Sequence, residues 1–242
     1  MLASLAKRRL EPELMDDPHL PERDHDRALA GLARVNVLGQ GARVLWPLVR
    51  REALAVADGR RPLTVLDVAT GSGDIPVALA RWAAAAGLAC EWHVMDRSAH
   101  ALARAAGRAR DAGVTLHSHE GDVTQGVEGQ YDLVLSSTFV HHLEEEAAVR
   151  ALRHMAAACT RRLVICDLRR STLGLATVWM VSRMCSRSPV VHFDALASVR
   201  AAFTPAELRA LAERAGLASA TVRSIWGERM ILEWSPPARG AA

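Results

Sequence analysis

Apolar residues in the middle of the chain fall into short runs separated by helical patterns. Residues 63–69 form a compact apolar run, as a strand buried on both faces requires, and residues 73–86 continue as an alanine-rich helix. Residues 90–95 read as a second strand, and Ser98 can cap a helix running to about Ala112. Residues 114–119 alternate apolar and polar positions as a third strand. A loop at 126–129 leads to a fourth strand at 131–136, a helix to about Ala158 and a fifth strand at 163–167. Repeated strand–helix units predict a parallel sheet with right-handed crossovers.

Ahead of the first strand, residues 1–22 are charged and proline-containing, which predicts an extended arm whose start is frayed. Leu29, Leu32 and Val35 recur at helical spacing within 22–35. Gly39 and Gly41 interrupt the pattern, a second helical stretch covers 42–56, and Asp58-Gly59 closes it. The strand–helix rhythm breaks at Arg169, so residues 171–200 read as an inserted lid. Thr204-Pro205-Ala206-Glu207 then opens a helix, with Thr as cap, Pro at the first position and Glu three residues after the cap. Gly216 ends that helix, and two strands at 220–225 and 230–234 flank Gly227. The predicted architecture is α/β, a doubly wound, mostly parallel, Rossmann-like sheet of seven strands. Residues 1–60 supply an arm and helical cap, and 61–242 the core with its lid.

Composition narrows the chemistry. Half of the 242 residues are hydrophobic and the net charge is +3, which suits a globular domain without a concentrated basic face for nucleic acid. Lys7 is the only lysine and Tyr131 the only tyrosine. A phosphate-binding P-loop, a pyridoxal Schiff base and a tyrosine–lysine proton relay are therefore disfavoured. Cys90, Cys159, Cys166 and Cys185 have no C-x-x-C spacing, so no metal site is expected and the thiols read as small buried hydrophobes of a reducing cytoplasm. No signal-peptide pattern opens the chain, and the apolar run near 173–181 is too short to span a bilayer.

The stretch Val65-Leu66-Asp67-Val68-Ala69-Thr70-Gly71-Ser72-Gly73-Asp74 joins the first strand to the first core helix. Gly71 and Gly73 permit a sharp turn and close approach of a ligand, and the helix start beyond offers free N–H groups. A nicotinamide fingerprint needs a third glycine where Pro76 stands, and Asp67 would repel a pyrophosphate. A carboxylate there suits the ammonium of a zwitterion, such as the amino-acid end of S-adenosylmethionine (SAM). Asp96 follows the second strand and can accept ribose hydroxyls, while Asp122 follows the third and can accept from an adenine amino group. Three acids at the carboxyl ends of successive strands converge on one crevice.

Over residues 64–167 the sequence resembles class I SAM-dependent methyltransferases. The stretch from Asp67 to Asp74 is similar to the quinone-biosynthesis C-methyltransferases, which read D-V-A-x-G-T-G-D, and residues 36–50 resemble their N-terminal cap. His192-Phe193-Asp194, with Ser198-Val199-Arg200 and Phe203-Thr204, resembles small methyltransferases found beside polyketide synthases. The resemblance implies SAM as donor. It places Asp67, Gly71 and Gly73 near the methionyl part, Asp96 at the ribose, and Asp122 and Val123 at the adenine, with Ala69, Thr70, Asp74, Arg97 and Ser136 as further candidate cofactor-binding residues. Ala69 stands where the family usually has its first glycine, and the divergent cap leaves the family's substrate unassigned.

Methyl transfer needs two positioned reactants and, for some acceptors, a proton acceptor. The acceptor is expected beyond the fourth strand, at Ser136-Ser137-Thr138-Phe139-Val140-His141-His142. This segment lacks the Asp/Asn-Pro-Pro-aromatic motif of nucleic-acid amino methyltransferases. His141 and His142 are the candidate bases, with His192 and Asp194 as rivals. Trp46, Phe139, Trp179, Met180, Met184, His192 and Phe193 are the candidate acceptor wall. The expected partner is a small phenolic, quinol or polyketide-like acceptor, methylated on oxygen or carbon, and a homodimer is compatible with the sequence. A nicotinamide oxidoreductase and a non-catalytic SAM-binding partner protein are the competing readings.

Overall fold

The computed structural model describes residues 5–14, 20–21, 23, 27, 41–56 and 61–237. Of the expected helix at 22–35, Arg23 and Arg27 are described, both helical and exposed, while Leu29, Leu32 and Val35 and the Asp58-Gly59 stop lie outside the described residues.

Seven strands form one sheet: β1 Leu63–Val68, β2 Cys90–Asp96, β3 His117–Glu120, β4 Tyr131–Ser137, β5 Cys159–Leu168, β6 Thr221–Ile225 and β7 Arg229–Trp234. Their order is β3-β2-β1-β4-β5-β7-β6. The first five run parallel, and β7 pairs antiparallel with both β5 and β6. The chain leaves β1 toward one edge and returns through β4 toward the other. The switch point therefore lies between the carboxyl ends of β1 and β4, where open α/β sheets hold ligands.

The helices are α1 Gly41–Ala55, α2 Asp74–Ala85, α3 Ala99–Asp111, α4 Glu145–Ala157, α5 Thr172–Cys185, α6 Pro189–Ala201 and α7 Pro205–Arg214. Strand side chains alternate between two cores, as the pleat dictates. Leu63, Val65, Leu133, Leu135, Val164 and Cys166 face α1 and α2. Leu66, Val68, Val134, Leu163 and Ile165 face α4 and α7. The capping box at Thr204 and Glu207 forms as its residue pattern predicts, and Ser98 Oγ accepts from Ala101 N–H.

Several expectations change. The third strand occupies His117–Glu120 rather than 114–119, because the Val114 N–H closes α3 on the Ala109 carbonyl. The helix expected after β4 is broken: a 3-10 turn at Val140–His142 precedes α4. Residues 171–200, expected as an inserted lid, form the helical pair α5–α6, started by Ser171 and Pro189. The described part of the arm, residues 5–14, is docked where fraying was expected around Lys7. Arg9 N–H bonds the Arg200 carbonyl, Leu14 N–H bonds Asp194, and Arg170 donates to the Leu5 carbonyl.

Candidate functional site

Asp67 ends β1 with its carboxyl group buried and Oδ1 without a hydrogen-bond partner. Burial pushes its pKa up to about 7 and the Asp96 charge adds to this. The adjacent Thr70 hydroxyl pulls the other way, although Thr70 Oγ1 also lacks a partner of ordinary geometry. Above it the loop coils through three left-handed residues, Ala69 (φ 56°), Gly71 (φ 54°) and Gly73 (φ 75°). The two glycines do different work. A Cβ at Gly71 would project into open space, whereas one at Gly73 would lie 2.8 Å from Ala105 Cβ. Gly71 thus keeps the loop surface clear, and Gly73 lets α2 and α3 pack.

Asp96 braces this loop. Its Oδ2 accepts from Gly71 N–H at 2.8 Å and its Oδ1 from Ser98 N–H at 2.9 Å, and each oxygen keeps a further lone pair. Asp122 is exposed and accepts from Thr124 N–H; this bond and the Thr124 hydroxyl lower its pKa. Gly121 N–H bonds the Asp96 carbonyl, which fixes the two acids relative to each other. Val123 is buried beneath, and its carbonyl is 2.8 Å from His154 Nδ1. Arg97 is exposed, and its charge reaches both Asp122 and His142. Asp67, Asp96 and Asp122 therefore end the three successive strands β1, β2 and β3 as the sequence suggests.

Other expected contacts are committed to the protein itself. Asp74 accepts from Ser72 Oγ at 2.8 Å and pairs with Arg108 at 2.9 Å. Ser136 is buried and donates to the Val68 carbonyl at 3.0 Å, tying β4 to β1.

Beyond β4, Thr138 takes a left-handed backbone (φ 55°), a strained choice for a β-branched residue. It turns the chain into the Val140–His142 turn. His141 is buried there, with its N–H donating to Asp167 Oδ2 at 3.0 Å and its Nδ1 2.6 Å from Asp167 Oδ1. Burial would raise Asp167, but the His141 charge and the bonds from His141 and Leu168 outweigh it and hold the carboxyl low. His142 stacks on His141 with ring centres 4.1 Å apart and keeps 39% of its side chain exposed. Crowding by surrounding protein, with His141, Arg97 and Arg8 nearby, lowers its pKa.

The arm covers this turn. Arg8 donates to the carbonyls of His141, Leu143 and Ala201 and lies over the Phe203 ring. Glu13 approaches His142 and accepts from Ser198. Glu13, His141 and His142 bring ligand-type atoms within 4.8 Å of one another. A shared ion would have to lie in both ring planes at about 2.0–2.1 Å from nitrogen, and rings stacked 4.1 Å apart at 35° do not aim both lone pairs at such a point. Asp167 and Arg8 are the residues that sequence reasoning missed. Neither lies within 25 positions of His141, and no local pattern marks them.

The rival bases have structural employment: His192 Nε2 lies 2.8 Å from the Ser186 carbonyl at the α5–α6 corner, and buried Asp194 holds the arm. Of the expected wall, Trp46 packs edge-on against Trp82 between α1 and α2, 6.0 Å away, and serves the core. Phe139 is half-buried at the end of β4. Phe193 is exposed on α6. Trp179, Met180 and Met184 stand exposed on α5.

A parallel sheet closed by an antiparallel hairpin, with a glycine loop after β1 and acids ending β1, β2 and β3, defines the Rossmann-like methyltransferase fold. Residues 65–162 match the family described as a methyltransferase domain. No curated protein matches the chain by sequence. Solved structures share the fold at low identity. Magnesium protoporphyrin IX methyltransferase from Synechocystis PCC 6803, with S-adenosylhomocysteine bound, is 20% identical, covering 91% of this chain and 90% of that one (TM-score 0.55). The plantazolicin methyltransferase, also with S-adenosylhomocysteine, is 13% identical, covering 89% and 91% (TM-score 0.65). An O-methyltransferase family 2 protein from Planctomyces limnophilus, in complex with apigenin, is 16% identical, covering 90% and 63% (TM-score 0.58).

Proposed function

We propose that the protein transfers a methyl group from SAM to a hydroxyl oxygen of a small phenolic or quinol acceptor. The observation that carries the donor is the buried carboxyl group of Asp67, with Oδ1 unpartnered beneath a loop whose Gly71 surface is open. An unpaired buried carboxylate is costly, and an ammonium group placed there supplies both the missing hydrogen bond and the missing charge. Asp67 and the open backbone of the loop at Ala69, Thr70, Gly71 and Gly73 hold the methionyl part. Asp96, with Arg97 beside it, takes the ribose hydroxyls, and Asp122 and Val123 take the adenine edge. Bound SAM supplies an electrophilic methyl on a sulfonium.

The chain's own residues then orient the acceptor and move one proton. His141 is the base: Asp167 fixes Nδ1–H and leaves Nε2 to take the hydroxyl proton as the acceptor oxygen bonds to the methyl carbon and the carbon–sulfur bond breaks. His142, stacked over it and open to solvent, forms the entrance side. Phe139 and Phe193 furnish the apolar wall, and the cap and the α5–α6 pair close over the acceptor. This pair of roles favours oxygen over carbon, since it equips the site to remove a hydroxyl proton. The fold relatives that act on small molecules support the acceptor class. A cytoplasmic location accords with this reading.

Calorimetry tests it. SAM and S-adenosylhomocysteine should bind, NADH should not, and Asp96→Ala should weaken binding about tenfold or more through loss of charge-assisted hydrogen bonds. NADH binding with no SAM binding would replace this reading with that of an oxidoreductase.

A further inference from the structure

Helix α5 is built inside out. Its buried positions are small or few, Gly174, Leu175 and Ser182. Its open side carries Leu173, Ala176, Met180 and Met184 at three- and four-residue spacing, with Trp179 alongside. Leu173 is 62% exposed, Trp179 51% and Met184 79%. A soluble surface normally puts its polar residues on that side. A further exposed tryptophan lies in the turn beside the start of the helix. Glu228, in the β6–β7 turn, accepts from Ser171 Oγ and Arg169, so the turn abuts the first residues of α5 and brings the exposed Trp226 there.

Charge accompanies the apolar stripe. No Asp or Glu occurs between Asp167 and Asp194, while Arg169, Arg170, Arg183 and Arg187 all fall in that interval. Arg169 is paired with Glu228, and Arg170 with Glu207. Arg183 lies over the Trp179 ring and bonds its carbonyl. Among the described residues neither Arg183 nor Arg187 has a carboxylate partner, and both are exposed.

We infer that this face, Leu173, Trp179, Met180, Met184 and Trp226 with Arg183 and Arg187, docks the protein on an anionic lipid surface. An apolar helical stripe with arginines beside it and no acid matches an interface of acyl chains beneath negative headgroups. Tryptophan, with an apolar ring and one N–H, suits the headgroup boundary, and arginine can reach the phosphates while its stem stays apolar. A second copy of the same face would bring further arginines and no carboxylate to the contact, so it offers these charges no complement, whereas anionic headgroups do. No described helix is long and apolar enough to cross a membrane, so the contact is one of surface. This inference is independent of the acceptor and donor assigned above.

Co-sedimentation of the full chain with vesicles tests it. Vesicles of phosphatidylcholine with about one-third phosphatidylglycerol should pellet the protein at low salt, and phosphatidylcholine alone should pellet much less. Trp179→Ser with Met184→Ser should abolish pelleting while SAM binding is unchanged. Arg183→Gln with Arg187→Gln should weaken binding to the anionic vesicles about 25-fold. Quenching of wild-type tryptophan emission by brominated lipid, reduced in Trp179→Phe, gives a readout without the polar variants. Protein left in the supernatant with both vesicle types would overturn the inference. So would a dimer that Trp179→Ser with Met184→Ser turns into a monomer, since that would make the face a contact between copies.

Discussion

Replacing Asp67 by Asn should stabilise the ligand-free protein at alkaline pH and cripple its response to SAM. In the folded chain burial disfavours the charged form of Asp67 and pushes its carboxyl pKa from the ordinary carboxylate range up to about 7. A raised carboxyl pKa means that the folded state holds the proton longer than the unfolded chain does. Stability therefore falls as pH rises from about 4 to about 7, and the full penalty is present above that. That rise from the ordinary carboxylate range corresponds to about 4 kcal/mol. Asparagine carries no charge, so the variant escapes this penalty. Urea unfolding without ligand should show the variant more stable than wild type by up to about 4 kcal/mol at pH 8, and the difference should vanish near pH 4. An ammonium beside Asp67 favours the carboxylate, so SAM binding near pH 6 should release a proton from the wild type. Calorimetry in buffers of different ionisation heat reads that proton, and the variant should release none. A variant less stable than wild type at pH 8, or equal proton release by both, would refute the assignment of Asp67 as a strained, ammonium-seeking acid.

Gly71→Val and Gly73→Val should fail in different ways. The first should fold, at a cost of about 1–2 kcal/mol for its left-handed backbone, and lose SAM binding; the second should lose stability as well, because its Cβ meets Ala105. Thermal melts with and without SAM separate them. His141→Gln should leave SAM affinity within a few-fold of wild type and remove methyl transfer to an acceptor, while His142→Asn should retain most of it; methylation assays on a panel of phenols and quinols compare the two. The His141 variant should also unfold more readily, by about 3–5 kcal/mol, through the buried Asp167 it leaves unpaired, and His141→Leu with Asp167→Leu should recover part of that stability but no activity. Along β2 and β3, His93 stacks with His119 and His117 beside Glu91 and Tyr131, and burial lowers its pKa against the pull of Glu91. The unfolded chain then takes up protons first as pH drops below about 6.5, so stability should decline there, and His93→Gln should flatten the decline in urea melts between pH 7.5 and 5.5.

Most of the elements, and the glycines and acids at the carboxyl ends of the first three strands, were legible in the sequence by itself. Strand runs, the capping box at Thr204, the Gly227 hairpin and the three acids ending β1, β2 and β3 are local signals, carried by residues a few positions apart. Sheet order adds only that these strands lie side by side, so Asp67, Asp96 and Asp122 end one after another at the same edge of the sheet. The left-handed backbone of Ala69 was less legible, because alanine does not announce the conformation that glycine would.

Tertiary structure alone decided the surroundings of the Val140–His142 turn. His141 acquires its partner Asp167 from β5 because β4 and β5 are neighbours in the sheet. Arg8 reaches the same turn from the far end of the chain. Asp74, Ser136 and Trp46 fit a functional reading in sequence, yet their side chains are taken up by Arg108, the Val68 carbonyl and Trp82. The α5 stripe was illegible for a related reason. Periodicity reveals that a helix has an apolar side, but which side turns inward depends on the size of the residues that fit against α6 and the β6–β7 turn. Gly174 and Ser182 are small enough to pack there, and the bulkier Leu173, Trp179, Met180 and Met184 are left facing outward.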